Sequence, residues 1–126
     1  MHMFYALQSY GDFSLLVLRL AIAAIFFAHG PKKLNGSMGS FMTVIGWIET
    51  VGGISVLLGL LTQLGALGLG IIMLGATWKK INEWHVPFTA MDKMGWEFDL
   101  IIFAACFVLF VMGAGYYSVD ALWLNV

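Results

Sequence analysis

The chain has 126 residues, 61% of them apolar and 10% charged, with a formal net charge of −1 and a mean hydropathy of +0.92. That composition excludes an ordinary water-soluble domain and describes an integral membrane protein, with room for about four spans of roughly 20 residues and none for a second, soluble domain. The small net charge gives no footprint for nucleic acid, and the single cysteine, Cys106, cannot form an internal disulfide and reads as a packed core thiol.

The expected fold is all-α: an integral membrane four-helix bundle of two antiparallel hairpins, with residues 1–126 forming one domain. Residues 1–12 are short and aromatic, with Phe4, Tyr5 and Tyr10 suited to the membrane interface. His2 reads as incidental. The segment lacks a basic n-region, so residues 13–29 are expected to be a retained first span rather than a cleaved signal peptide. Arg19 lies ten residues, or about 15 Å, before His29, which places it near mid-membrane.

Gly30 and Pro31 end or kink this span, because proline cannot donate to the helix ladder and biases its predecessor away from helical geometry. Lys32 to Ser40 is a polar loop. Residues 41–61 form the second span, with Glu49 about 12 Å below its start, so that Arg19 and Glu49 are predicted at similar depth. The short turn Thr62-Gln63 makes the second and third spans antiparallel neighbours. The third, residues 64–78, carries Gly65, Gly68, Gly70 and Gly75, which allow close helix approach. Lys79 to Gly95 is the longest connection and is expected along the surface. The fourth span, residues 96–115, is entered through Glu97 and Asp99, and Tyr116, Tyr117 and Trp123 form an interfacial belt beyond it.

All five lysines fall on the side of the two long loops, so the positive-inside rule predicts cytoplasmic loops. A weak parallel internal repeat fits the two hairpins: Lys32-Lys33-Leu34-Asn35 recurs as Lys79-Lys80-Ile81-Asn82, and Gly46-Trp47-Ile48-Glu49 is echoed by Gly95-Trp96-Glu97. A site between such repeats is a recurring arrangement in membrane proteins.

A charge at the centre of a spanning helix costs about 2.5–3.5 kcal/mol on insertion scales, so each is expected to face inward and find a partner. Arg19 and Glu49 are the evident pair. Ile22, Ala23, Phe26 and Gly30 share the face of Arg19, and Gly46, Gly52 and Gly53 that of Glu49. Two readings stand side by side: a pair that locks helix register, and the polar lining of a ligand or proton site. Histidine is the side chain type able to exchange protons around neutral pH, and His29 has Lys33 one turn further on if the helix survives Pro31. A mouth of His29, Lys33, Glu97 and Asp99 leading to Glu49 and Arg19 would make a polar funnel for protons or a quinone headgroup; headgroup-level residues solvated by water and lipid phosphate are the plainer alternative. Lys32, Lys79, Lys80 and Lys93 read as solvated. No spacing such as His-x-x-x-His supports a metal or haem site using His29 and His85.

An arginine in the first span followed by His29-Gly30-x-x-Lys33-Leu34, Glu49-x-x-Gly52-Gly53 in the second, Glu97 opening the last, and Gly113-Ala114-Gly115-Tyr116-Tyr117-Ser118-Val119-Asp120 after it together resemble the DoxX family of small four-helix membrane proteins. The long loop from Lys79 to Gly95 matches only loosely. The resemblance implies a four-helix membrane bundle in a prokaryotic cell membrane and a redox setting: a membrane subunit of a thiosulfate:quinone oxidoreductase, or an organiser of thiol and oxidative-stress enzymes. Electrons would then come from a membrane or peripheral partner protein, and this chain would supply the quinone or proton side, because it has no second cysteine and no cofactor motif. The rival expectation is a non-catalytic scaffold or assembly factor. A small-molecule or proton transporter is third, and so short a chain would need to form a homo-oligomer to serve as one.

Overall fold

The computed structural model describes residues 4–123, so His2 lies outside the described residues, as does the side chain of Tyr5. A 3-10 helix, Tyr5–Tyr10, leads into α1 (Gly11–His29), followed by α2 (Ser40–Leu58), α3 (Thr62–Asn82), α4 (Trp96–Met112) and a short α5 (Val119–Trp123). No strand occurs among the described residues. Three helical stretches, Ala6–Lys33, Ser40–Leu58 and Thr62–Asn82, are long and apolar enough to cross a membrane. α1 packs on α2 and α4, and α3 packs on α2 and most extensively on α4. The shared core includes Ile22, Phe26, Val56, Leu69, Cys106 and Leu109, whereas Val17, Val51, Ile71, Ile101, Phe107 and Val111 stay exposed. An oily outer surface of this kind suits lipid as the surrounding medium.

The end of α1 departs from the expected break. Gly30 keeps helical angles (φ −63, ψ −54), and its N–H donates to Phe26 O at 2.7 Å. The clash that proline imposes on its predecessor involves a Cβ that glycine lacks. Pro31 then opens a 3-10 turn through Lys33. This turn runs back beside α2: a Cβ on Gly46 would sit 2.8 Å from Lys33 Cβ and 2.9 Å from Gly30 O. The first turns of α2 therefore overhang the end of α1, and residues counted inward from the two helix ends do not lie at equal depth.

α3 is longer than expected at both ends. At its start, the Asp120 carboxylate accepts hydrogen bonds from the N–H groups of Leu61 (2.6 Å) and Thr62 (3.0 Å), a cap supplied from far along the chain. At its end, Lys79 and Lys80 lie in the last turn, where positive charge suits the helix dipole. α4 stops at Met112 rather than residue 115, because Gly113 (φ 78) and Gly115 (φ 84) turn the chain through left-handed conformations. The connection before α4 lies along the surface, with Trp84, Phe88 and Met91 exposed, and is tethered to that helix at its end: Pro87 O and Phe88 O accept from Trp96 N and Glu97 N, and Phe88 meets Trp96 edge to face at 4.6 Å.

Candidate functional site

The buried charges separate into two centres rather than one funnel. The first lies where the α2–α3 turn meets the segment after α4. Arg19, 1% exposed, donates from Nε to Val56 O (2.8 Å) and from Nη2 to Leu57 O (2.8 Å). Its Nη1 donates to Tyr117 O (2.7 Å) and Ala114 O (3.3 Å). Asp120 attracts the guanidinium across the same turn. All four hydrogen bonds from Arg19 go to the protein's own backbone, and the arrangement holds three segments together.

The second centre lies on the side of the long connections. Glu49, with a side chain 2% exposed, accepts a hydrogen bond from Lys33 Nζ at 2.5 Å. The pairing of Arg19 with Glu49 expected from their counted depths does not form. Val56, which Arg19 reaches, lies seven residues or about 10 Å along α2 from Glu49, and the backward run of residues 31–33 brings Lys33 to the carboxylate instead. The small face expected around Glu49 is present, with Gly46, Gly52 and Gly53 all buried. A Cβ on Gly30 would lie 2.7 Å from Thr50 Oγ1 and 3.1 Å from Glu49 Cβ, so glycine at this crossing is what lets α1 approach the acid.

A second ion pair stands in the other half of the chain. Lys80 Nζ is 2.9 Å from Asp99 Oδ2, with side chains 16% and 5% exposed. The Phe98 ring lies 6.1 Å from the half-buried His29 ring and 6.0 Å from Lys80 Nζ. Of the six residues singled out from the sequence, His29, Lys33, Glu49 and Asp99 thus occupy this side, and Arg19 belongs to the other centre. Glu97 is exposed and accepts from Thr89 Oγ1 at 2.6 Å, tethering the preceding connection rather than lining the centre. Lys80 is the functional candidate that sequence reasoning passed over; its place in the repeated Lys-Lys-x-Asn pattern was the available signal. Asp120 was visible only as the last residue of a motif.

Both pairs place an acid inward with an ammonium group over it on the more exposed side. Such a site offers donors and acceptors together. No group of His, Cys, Asp and Glu arranged to hold a metal occurs among the described residues. A DoxX family model matches residues 14–81. No curated protein and no solved structure matches the chain.

Proposed function

The chain belongs to the DoxX family, whose model covers more than half of it, and is an integral membrane protein; from this premise we propose that it is the quinone-associated membrane subunit of a redox system. Its partner would be a membrane or peripheral oxidoreductase of the thiosulfate:quinone or thiol and oxidative-stress type. The observation that carries the reading is the gathering of two buried acid–ammonium pairs, Lys33–Glu49 and Lys80–Asp99, beside His29 on one side of the helices.

We read α1 to α4 as a four-span bundle of two antiparallel hairpins in a prokaryotic membrane, with the loop side cytoplasmic. One acid–ammonium pair per half supports the parallel repeat, with Lys33 and Lys80 in corresponding places. When bound, a quinone supplies two-electron, two-proton carrier chemistry. The residues offer groups of the right kind for its headgroup: Lys33, Lys80 and His29 carry donors, and the carboxylates of Glu49 and Asp99, each paired with a lysine, carry acceptors. Glu49 and Asp99 would accept and release protons at the headgroup, with Lys33 and Lys80 as their charge partners.

A scaffold role is the second reading, favoured by the open apolar groove of about 590 Å³ between α2 and α3, lined by residues including Trp47, Val51, Leu58 and Leu64. Native mass spectrometry of gently purified protein, with lipid extraction from the same sample, separates the two. Retained quinone that is lost in Glu49→Gln and kept in the surface variant Lys93→Ala is the expected result. A quinone-free protein bound stoichiometrically to one membrane partner would replace the redox reading with the scaffold.

A further inference from the structure

The groove between α2 and α3 runs only half-way along the two helices. Its lining reaches no nearer the loop side than Trp47 on α2 and Gly68 on α3, and at the other end it stops at Leu60 and Leu61 in the turn. From Ile48 to Leu58 is ten residues, or about 15 Å of helix, against about 30 Å for the hydrocarbon core of a bilayer. The groove is therefore one leaflet long. At its floor Gly52 and Gly65 let the helices close: a Cβ on Gly52 would lie 2.9 Å from Leu69 Cδ2, and one on Gly65 2.6 Å from Ser55 Oγ. The flanking Val51, Ile54, Leu58 and Leu64 are exposed, and among the described residues no charged side chain lines the groove. The Ser55 hydroxyl is spent on Leu60 O at 2.5 Å.

We infer that this groove holds one acyl chain of a phospholipid from the leaflet on the side of the α2–α3 turn. It opens on the exterior of two helices long and apolar enough to cross a membrane, so it is continuous with the oily surface turned to lipid, and it offers water too few polar partners to stay. Its length suits a chain that enters at headgroup level and ends near mid-bilayer. A spanning helix of a second copy or a partner would instead need a face that continues to the loop side. The glycines at the floor are already used between α2 and α3, and so are not left for the close backbone approach on which small-residue helix contacts depend. With no charge in the lining, the chain is recognised and the headgroup is not. This occupant is independent of the redox reading; a partner helix in the same groove is its rival.

The test is native mass spectrometry of the full chain released from nanodiscs of dioleoylphosphatidylcholine and, separately, of dioleoylphosphatidylglycerol. The wild type is expected to keep one phospholipid per chain at the collision energy that strips the rest, equally from the zwitterionic and the anionic bilayer. Gly68→Leu fills the inner end of the groove. A Cβ there would stand 3.8 Å from Ile48 Cγ2, an ordinary contact, so the core is left in place. Retained lipid should fall about tenfold, the scale on which overfilling an apolar site weakens it. Gly75→Leu, on the same helix where a Cβ would meet open space, should keep the wild-type lipid. Should Gly68→Leu fail to fold, Val51→Trp fills the groove from the α2 side. No lipid on the wild type, lipid kept from only one of the two bilayers, or retention unchanged in the folded Gly68 or Val51 variant overturns the inference. So does a lipid-free dimer or a lipid-free complex with one membrane partner, which gives the groove to a helix.

Discussion

Arg19 and Asp120 grip opposite sides of one turn. Arg19 donates to the carbonyls of Val56 and Leu57 at the end of α2, and Asp120 accepts from the N–H groups of Leu61 and Thr62 at the start of α3. The Asp120 N–H also reaches Gly59 O at 2.8 Å. A helix end carries partial negative charge and a helix start partial positive charge, so each residue has the sign its side of the turn favours. An arginine in an apolar span is tolerated here because backbone groups that need donors surround it.

Removing the guanidinium should therefore act on stability first. Arg19→Met is expected to cost about 3–5 kcal/mol, the usual scale for removing one partner from a buried charged network. Arg19→Lys should recover only part of this, since a compact ammonium cannot match a planar fork spanning four carbonyls. Reversible unfolding in mixed micelles measures both. A loss below about 1 kcal/mol for Arg19→Met would show that the clamp is not what holds the turn.

If the two residues act on one turn, their effects should not add. A double-mutant cycle with Arg19→Met and Asp120→Asn is expected to give a coupling of about 0.5–3 kcal/mol. Simple additivity of the single losses would mean that α2 and α3 are secured independently at this corner.

The existence and approximate bounds of the apolar segments are legible from composition and hydropathy, because each must present a long oily stretch to lipid. The inward placement of Arg19 and Glu49 is legible too, since neither charge can face hydrocarbon without a partner. Their actual partners are not. Depth was counted from helix ends, and the backward run of Lys33 beside Gly46 moves one helix along the other. The Asp120 cap on α3 joins residues about 60 positions apart and leaves no local capping pattern. Lys80 looks like a loop-side lysine until α3 is seen to continue to Asn82.

Two glycine substitutions separate backbone strain from crowding. Gly59 (φ 70, ψ 34) adopts a left-handed helical conformation that costs an L-residue about 1–2 kcal/mol, and Gly113 (φ 78, ψ −167) an extended positive-φ conformation open essentially to glycine alone. A Cβ on Gly113 would meet open space, whereas on Gly59 it would run into Ser118 and lie 2.7 Å from Arg19 Nη2. Gly113→Ala should lose backbone strain of about 1–3 kcal/mol and leave the Arg19 contacts intact, whereas Gly59→Ala should lose the left-handed strain and also displace the Arg19 contacts. Thermal unfolding of Gly59→Ala, alone and on the Arg19→Met background, decides it: a loss that is the same on both backgrounds would mean that the space around Arg19 is looser than the geometry implies.

The partner of Glu49 can be identified by exchanging charges. Glu49→Gln alone should destabilise the protein, because Lys33 then loses the acid it points at from 2.5 Å. Replacing both members, Lys33→Met with Glu49→Met, should be better tolerated than either single change, since a buried pair exchanged for apolar side chains loses its desolvation penalty along with its attraction. Reversing Arg19 and Glu49 together, as Arg19→Glu with Glu49→Arg, should bring no rescue, because the four carbonyls around position 19 would then face a carboxylate. Folded yield and melting temperature of the variants in one detergent give the comparison. Rescue by the Arg19 and Glu49 exchange, with none from the Lys33 and Glu49 pair, would restore a direct contact between the two membrane-depth charges and remove Lys33 from the proton site.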